Sequence, residues 1–149
     1  MGAISWPQVV IAVVAALGFL LSLYNFWVAR LEKRPKLVVK SGFAIAASSA
    51  AEAFHAFTIA NHGAIDVFLS QLYVEAGTRR IFFPDLRSER SLGSKLEPGE
   101  AITFFQEAAP FHEVLKDNGF TGPQRFPLIA EDALGNRFSS KLKVDPDAY

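Results

Sequence analysis

The sequence predicts a membrane-crossing helix followed by an all-β antiparallel sandwich, and three observations predict it. The run 8–29 carries no charged side chain. The remainder alternates apolar and polar residues in short runs, and Gly, Pro and Asn punctuate those runs where turns belong.

At 1.5 Å per residue, the run 8–29 is long enough to cross the roughly 30 Å hydrocarbon layer as a helix. Trp6 stands at one end and Tyr24 and Trp27 at the other, the placement expected at two membrane interfaces. A cleaved secretory signal needs a basic leader and a short apolar core, and residues 1–7 contain no Lys or Arg. A core helix of a soluble protein is rarely apolar on all sides for this length. Lys and Arg near a span stay on the cytoplasmic side, and Arg30, Lys33, Arg34 and Lys36 follow the helix with only Glu32 opposing them. The expected arrangement is therefore a membrane crossed once, with the N-terminus outside and the C-terminal domain in the cytoplasm.

Within the span, Ile11, Ala15, Gly18, Ser22, Asn25 and Ala29 recur at alternating spacings of three and four, which places them on one stripe. Small residues allow close approach of helix backbones and polar ones bond across, so Ala15, Gly18, Ser22 and Asn25 are the candidate helix–helix interface. The basic collar suits anionic headgroups, with Arg30, Lys33, Arg34 and Lys36 as the candidate contacts.

The organisation expected is a short segment at 1–7, the helix at 8–29, the collar at 30–36, one β-domain at 37–144 and a tail at 145–149. The 149 residues leave room for one domain beside the helix. Fifteen basic residues balance fifteen acidic ones, yet residues 30–40 hold five Lys or Arg against one Glu, so the rest is net acidic by four. A nucleic-acid partner is disfavoured, because binding phosphates needs a basic face.

Pro35 ends the helix by restricting Arg34 to extended conformations. Leu37, Val39, Phe43 and Ile45 share one parity and form the first strand. Residues 47–53 are small and polar, a loop. Residues 54–61 return as a strand with Phe57 and Ile59 inward, and Asn61-His62-Gly63 turns the chain. Along 65–77 the parity passes from Val67 and Leu69 to Leu72 and Val74, predicting a bulge near Ser70 and Gln71. Residues 79–83 form a short return strand. The polar stretch 85–99 reads as a long connection with a short strand around Leu92, closed by Glu97-Pro98-Gly99. Residues 101–108 resume as a strand with Ile102 and Phe104 on one face and Phe105 on the other. A short helix follows, with Pro110 at its first position, Phe111, Val114 and Leu115 on one face, and a stop at Asn118-Gly119. A hairpin completes the set, Phe126, Leu128 and Ala130 facing Phe138, Leu142 and Val144.

Seven or eight such strands with one short helical connection indicate an immunoglobulin-like sandwich. The string FTIANHGAIDVFLSQLYVEAG resembles the second and third strands of bacterial immunoglobulin-like modules, and LEPGEAITF is similar to the turn before a later strand in them. The whole layout, with Asn25 and Arg30 closing the apolar helix and Arg34-Pro35-Lys36-Leu37 opening the sandwich, resembles small uncharacterised bacterial single-pass membrane proteins. That resemblance implies a fold and a bacterial cytoplasmic membrane, and no activity. The chain lacks the cysteine pair and strand tryptophan of antibody domains.

No catalytic or cofactor signature stands out. His55, His62 and His112 match no ligand spacing and read as scattered surface residues. Glu131, Asp132, Asp145 and Asp147 make an acidic end without a calcium-loop pattern, expected to be a solvated turn and tail. No nucleophile elbow, phosphate loop or cysteine nucleophile is present, so the expectation is that the chain is not an enzyme and holds no metal or cofactor. Arg79, Arg80, Phe82 and Phe83 form the candidate partner patch, since arginine and aromatics are enriched at interfaces. The function expected is a membrane-anchored interaction or scaffolding protein, contacting lipid and assembling with its own copies or another membrane protein. The alternative is an extracytoplasmic subunit or sensor that binds a ligand or glycan.

Overall fold

The computed structural model describes residues 6–45 and 52–148, and most of the loop expected at 47–53 lies outside them. The chain divides into two compact units, Met1–Arg34 and Pro35–Tyr149.

The first unit holds α1 (Trp6–Glu32), one continuous helix. Its stretch Trp6–Leu31 is long and apolar enough to cross a membrane, and none of its most apolar window is buried within the protein. The helix runs three residues past the expected end before Arg34 closes a turn on the Leu31 carbonyl at 3.3 Å.

The second unit contains β1 (Leu37–Ile45), β2 (Ala53–Asn61), β3 (Val67–Ala76), β4 (Arg79–Phe82), β5 (Arg87–Ser88), β6 (Lys95–Leu96), β7 (Ala101–Glu107), α2 (Ala108–Asp117), β8 (Gln124–Asp132) and β9 (Arg137–Val144). Every pairing is antiparallel. One sheet runs β1-β2-β7-β5, the other β4-β3-β8-β9 with β6 added beside β3. Between them lies one apolar core. Val39, Phe57, Ile59, Ile102 and Phe104 enter it from the first sheet, and Leu69, Leu72, Val74, Leu128 and Leu142 from the second. The alternation of the sequence thus became burial, as period-two patterning requires.

The parity change in β3 is a register shift between Leu69 and Gln71 against β8. Ser70, the displaced residue, donates its hydroxyl to the Glu131 and Asp132 carbonyls at 3.0 and 3.1 Å. In the polar stretch 85–99 the strands are β5 and β6, not a strand at Leu92, which sits in the turn between them. Two-residue strands carry no periodicity to read. Helix α2 begins at Ala108, so Pro110 lies third in the helix; its missing N–H is still one that the first turn leaves without an intrahelical partner. Gly119 (φ 84°) follows the Asn118 cap in the left-handed region, where glycine meets no steric penalty. The expected tail is a short 3-10 helix, Pro146–Ala148, with Pro146 buried.

Candidate functional site

The outer face of the β4-β3-β8-β9 sheet carries a cluster of interacting side chains. Its centre is Tyr73. Tyr73 pairs with Phe82 on β4 and with Ile129 on β8, so all three share the face turned away from the core. The tyrosine is nonetheless buried, because two arginines cover it. Arg80 places its guanidinium carbon 4.8 Å from the ring centroid and Arg137 places its own at 5.9 Å, both within cation–π range. The Tyr73 hydroxyl donates to Glu131 Oε2 at 2.9 Å, Arg80 reaches the same carboxylate at 3.8 Å, and Arg137 pairs with Glu75. Burial, and next the bond to Glu131, raise the Tyr73 pKa, which keeps the phenol neutral and donating.

Phe82 stands at the edge of this cluster, 53% exposed, its ring 5.6 Å from that of Tyr73. The sheet therefore presents an ordered aromatic beside charges locked in place by their neighbours. Of the patch expected from sequence, Arg79, Arg80 and Phe82 are exposed on β4. Phe83 is not part of it: just past the strand end it turns inward, 4.6 Å from Phe57 and 4.9 Å from Phe111. Tyr73, Glu131 and Arg137 belong to the cluster and were missed. Tyr73 lies one place from core residues on both sides, and sequence alternation cannot show that guanidinium groups from β4 and β9 cover it.

The histidines correct another expectation. His55 on β2 and His112 on α2 are both buried, with Nε2 atoms 3.1 Å apart. One ring must donate and the other accept, which requires different tautomers. Phe111 packs edge-on against His55, and Phe57 stacks at 6.3 Å. Burial, then the neighbouring imidazole, lower the His55 pKa to about 4. Burial also lowers that of His112, followed by the charge of Lys116, with Asp145 acting in the opposite sense. His62 alone is exposed, as expected. The acidic end also divides. Asp132 is buried at one end of the sandwich, whereas the Asp147 carboxylate accepts the Gly122 amide at 2.7 Å at the other. Among the described residues no group of three or more His, Cys, Asp or Glu could hold a metal ion.

The candidate helix interface lies in the first unit, and the basic collar runs from it into the second. Ala15, Gly18, Ser22 and Asn25 are exposed on α1, and a side chain added at Gly18 would meet nothing within 4 Å. Arg30 and Arg34 line a cleft of about 270 Å³ with Phe26, Trp27 and Leu31, while Lys33 and Lys36 are exposed.

The chain matches no known protein family and no curated protein. Among solved structures it is similar to the secreted serine protease VesC from Vibrio cholerae, at TM-score 0.36 and 16% identity over 84% of this chain and 25% of that one. The chain spans about a quarter of that protease's length. The expectation that this protein is not an enzyme is corrected by that neighbour: a protease stands among its structural likenesses, and the exclusion of enzymatic activity is withdrawn. A likeness of this size assigns no reaction.

Proposed function

We propose that the chain is a membrane-anchored interaction or scaffolding protein, α1 being the anchor and the outer face of β4-β3-β8-β9 the docking surface for a protein partner. The observation that carries this reading is Phe82, half exposed on a rigid sheet beside two arginines that stack on Tyr73. Aromatic and arginine anchors already ordered before binding are what protein interfaces use, because little side-chain entropy remains to be lost. The strand order, β1-β2-β7-β5 facing β4-β3-β8-β9, supports an immunoglobulin-like identity for the sandwich. The exposed collar of Arg30, Lys33, Arg34 and Lys36 supports headgroup contact and a cytoplasmic domain.

The test is native-size analysis of the full chain extracted from membranes in mild detergent. The parent should run as a complex, and Arg80→Glu with Phe82→Ala should run smaller while keeping its folded spectrum. A parent that runs as a lone monomer, or a variant that keeps the complex, refutes the docking face.

A second reading, an extracytoplasmic ligand- or glycan-binding subunit, draws support from a cleft of about 340 Å³ lined by Ser41, Phe43, His55, Lys141 and Lys143. Reporters fused after Tyr149 separate the two. A signal from a cytoplasmic reporter favours the scaffold, and one from an exported reporter favours the ligand reading.

A further inference from the structure

The sandwich end that receives the chain from α1 bears an exposed apolar tip on a rigid mount. Lys36 is fixed at that end, its carbonyl accepting the His62 amide at 2.8 Å, and Leu37 pairs with Asn61 beside it. At the same end the turn between β8 and β9 projects Leu134, 83% exposed. Asp132, 3% exposed beneath it, organises the turn. Its Oδ1 accepts the Leu134 and Asn136 amides at 2.9 and 2.8 Å, and its Oδ2 accepts Asn136 Nδ2 at 2.8 Å. The Asp132 amide donates to the Asn136 carbonyl and the Gly135 amide to the Asp132 carbonyl, both at 3.0 Å. The turn is also tied to β3, the Ala133 amide donating to the Phe68 carbonyl at 2.8 Å, and the neighbouring turn at Leu92 is tied to the same strand, the Gly93 amide donating to the Leu69 carbonyl at 2.6 Å. Phe68 and the adjacent Leu92 are themselves 49% and 39% exposed.

A buried carboxylate that accepts three hydrogen bonds fixes the turn, so the exposed leucine is already ordered before any contact is made. We infer that this tip inserts into the interfacial layer of the bilayer, with Leu134 as the leading contact and Phe68 and Leu92 at its flank. The inference rests on reading α1 as a membrane anchor. Only residues 33–35 separate Glu32 from Lys36, a reach of about 14 Å when fully extended. A tether that short bounds how far Lys36 can lie from the end of α1. The tip's chemistry agrees, since Ala133, Leu134, Gly135 and Asn136 carry no charge. At the opposite end Arg125 and Lys143 lie directly across from each other.

The chain contains no cysteine, so a single substitution gives one labelling site. Leu134→Cys, Asp117→Cys at the opposite end and Leu20→Cys within α1 each take one fluorophore. The full chain is reconstituted in vesicles of phosphatidylcholine and phosphatidylglycerol. Each label is quenched either by iodide on both sides or by a nitroxide carried at headgroup depth. Far-UV spectra equal to the parent's establish that the labelled chains are folded. The expected result is a position-134 label several-fold less sensitive to iodide than the one at 117, and quenched by the lipid nitroxide. If 134 behaves like 117 while 20 is quenched by lipid, the anchor stands and the tip inference is wrong. Shielding of 134 from both quenchers also overturns it, in favour of a protein contact. If the label at 20 reports water as well, the membrane reading itself has failed.

Discussion

The two outer faces of the sandwich are built from different material. On the β1-β2-β7-β5 sheet the middle of the outer face is mostly small, Gly42, Ala56, Thr58, Ala60 and Thr103, with Lys40 across from Thr58 and one hydroxyl pair, Thr58 to Thr103, at 3.1 Å. Its aromatics, Phe54 and Phe105, lie toward one end, and Arg87 beside Phe105 is held by Glu107 at 2.7 Å. The β4-β3-β8-β9 sheet instead places Tyr73 at its centre, covered by Arg80 and Arg137. Small side chains suffice to shield a sheet's backbone from water, so the first face needs nothing more to be stable. The second invests a tyrosine, two arginines and two carboxylates in an arrangement that stability alone does not demand. That difference is the ground for proposing the second face as the docking surface.

The largest effect that could break this contrast is on stability. Tyr73→Ala should cost about 3–5 kcal/mol, as for other fully buried aromatics, whereas Thr58→Ala should cost about 1 kcal/mol or less. Denaturant melts of the full chain in detergent measure both. Equal losses would mean that the two faces are equivalent.

Acid should act beneath the Thr58 face first. His55 has a folded pKa near 4 against 6.5 unfolded, so the unfolded chain binds the extra proton. The stabilisation is complete above pH 6.5 and is lost as pH falls toward 4, up to about 3 kcal/mol for the buried ring. Tyr73, with its pKa raised, stays neutral throughout that window. Amide exchange at pH 5 should therefore rise in β2 and α2 before β3 and β8. The reverse order would place the acid-sensitive element elsewhere.

Helix variants sharpen the assignment further. If α1 adds a second contact, Asn25→Leu should weaken association by about 0.6–2 kcal/mol in a membrane self-association assay. Gly18→Ile should weaken it too, and Leu17→Ile on the other face should not. The smallest expected effect on stability is that of Phe82→Ala, within about 0.5 kcal/mol, because the ring is half exposed. A large loss there would make Phe82 structural.

Much of this architecture was legible in the residue order. The charge-free run announced α1, and the parity change at Ser70 and Gln71 announced the β3 bulge. Local chemistry of that kind is written in adjacent positions. The candidate cluster was only partly legible, since Arg80 and Phe82 stand together in sequence, while Glu131 reaches Tyr73 across 58 positions and Arg137 reaches Glu75 across 62 through strand pairing. The His55–His112 pair was hidden for the same reason: 57 positions separate its rings, and the lone histidines resembled surface residues. Phe83 misled because it follows an exposed Phe82 at the end of a strand, where alternation ceases to constrain the next side chain.

The most direct test compares the two faces in the membrane. A photoreactive amino acid is placed at Phe82 or at Thr58 in the full chain, and covalent adducts are counted after illumination of intact membranes. A discrete protein adduct is expected from position 82 and none from position 58. Adducts of equal yield from both positions, or from position 58 alone, would contradict the docking face.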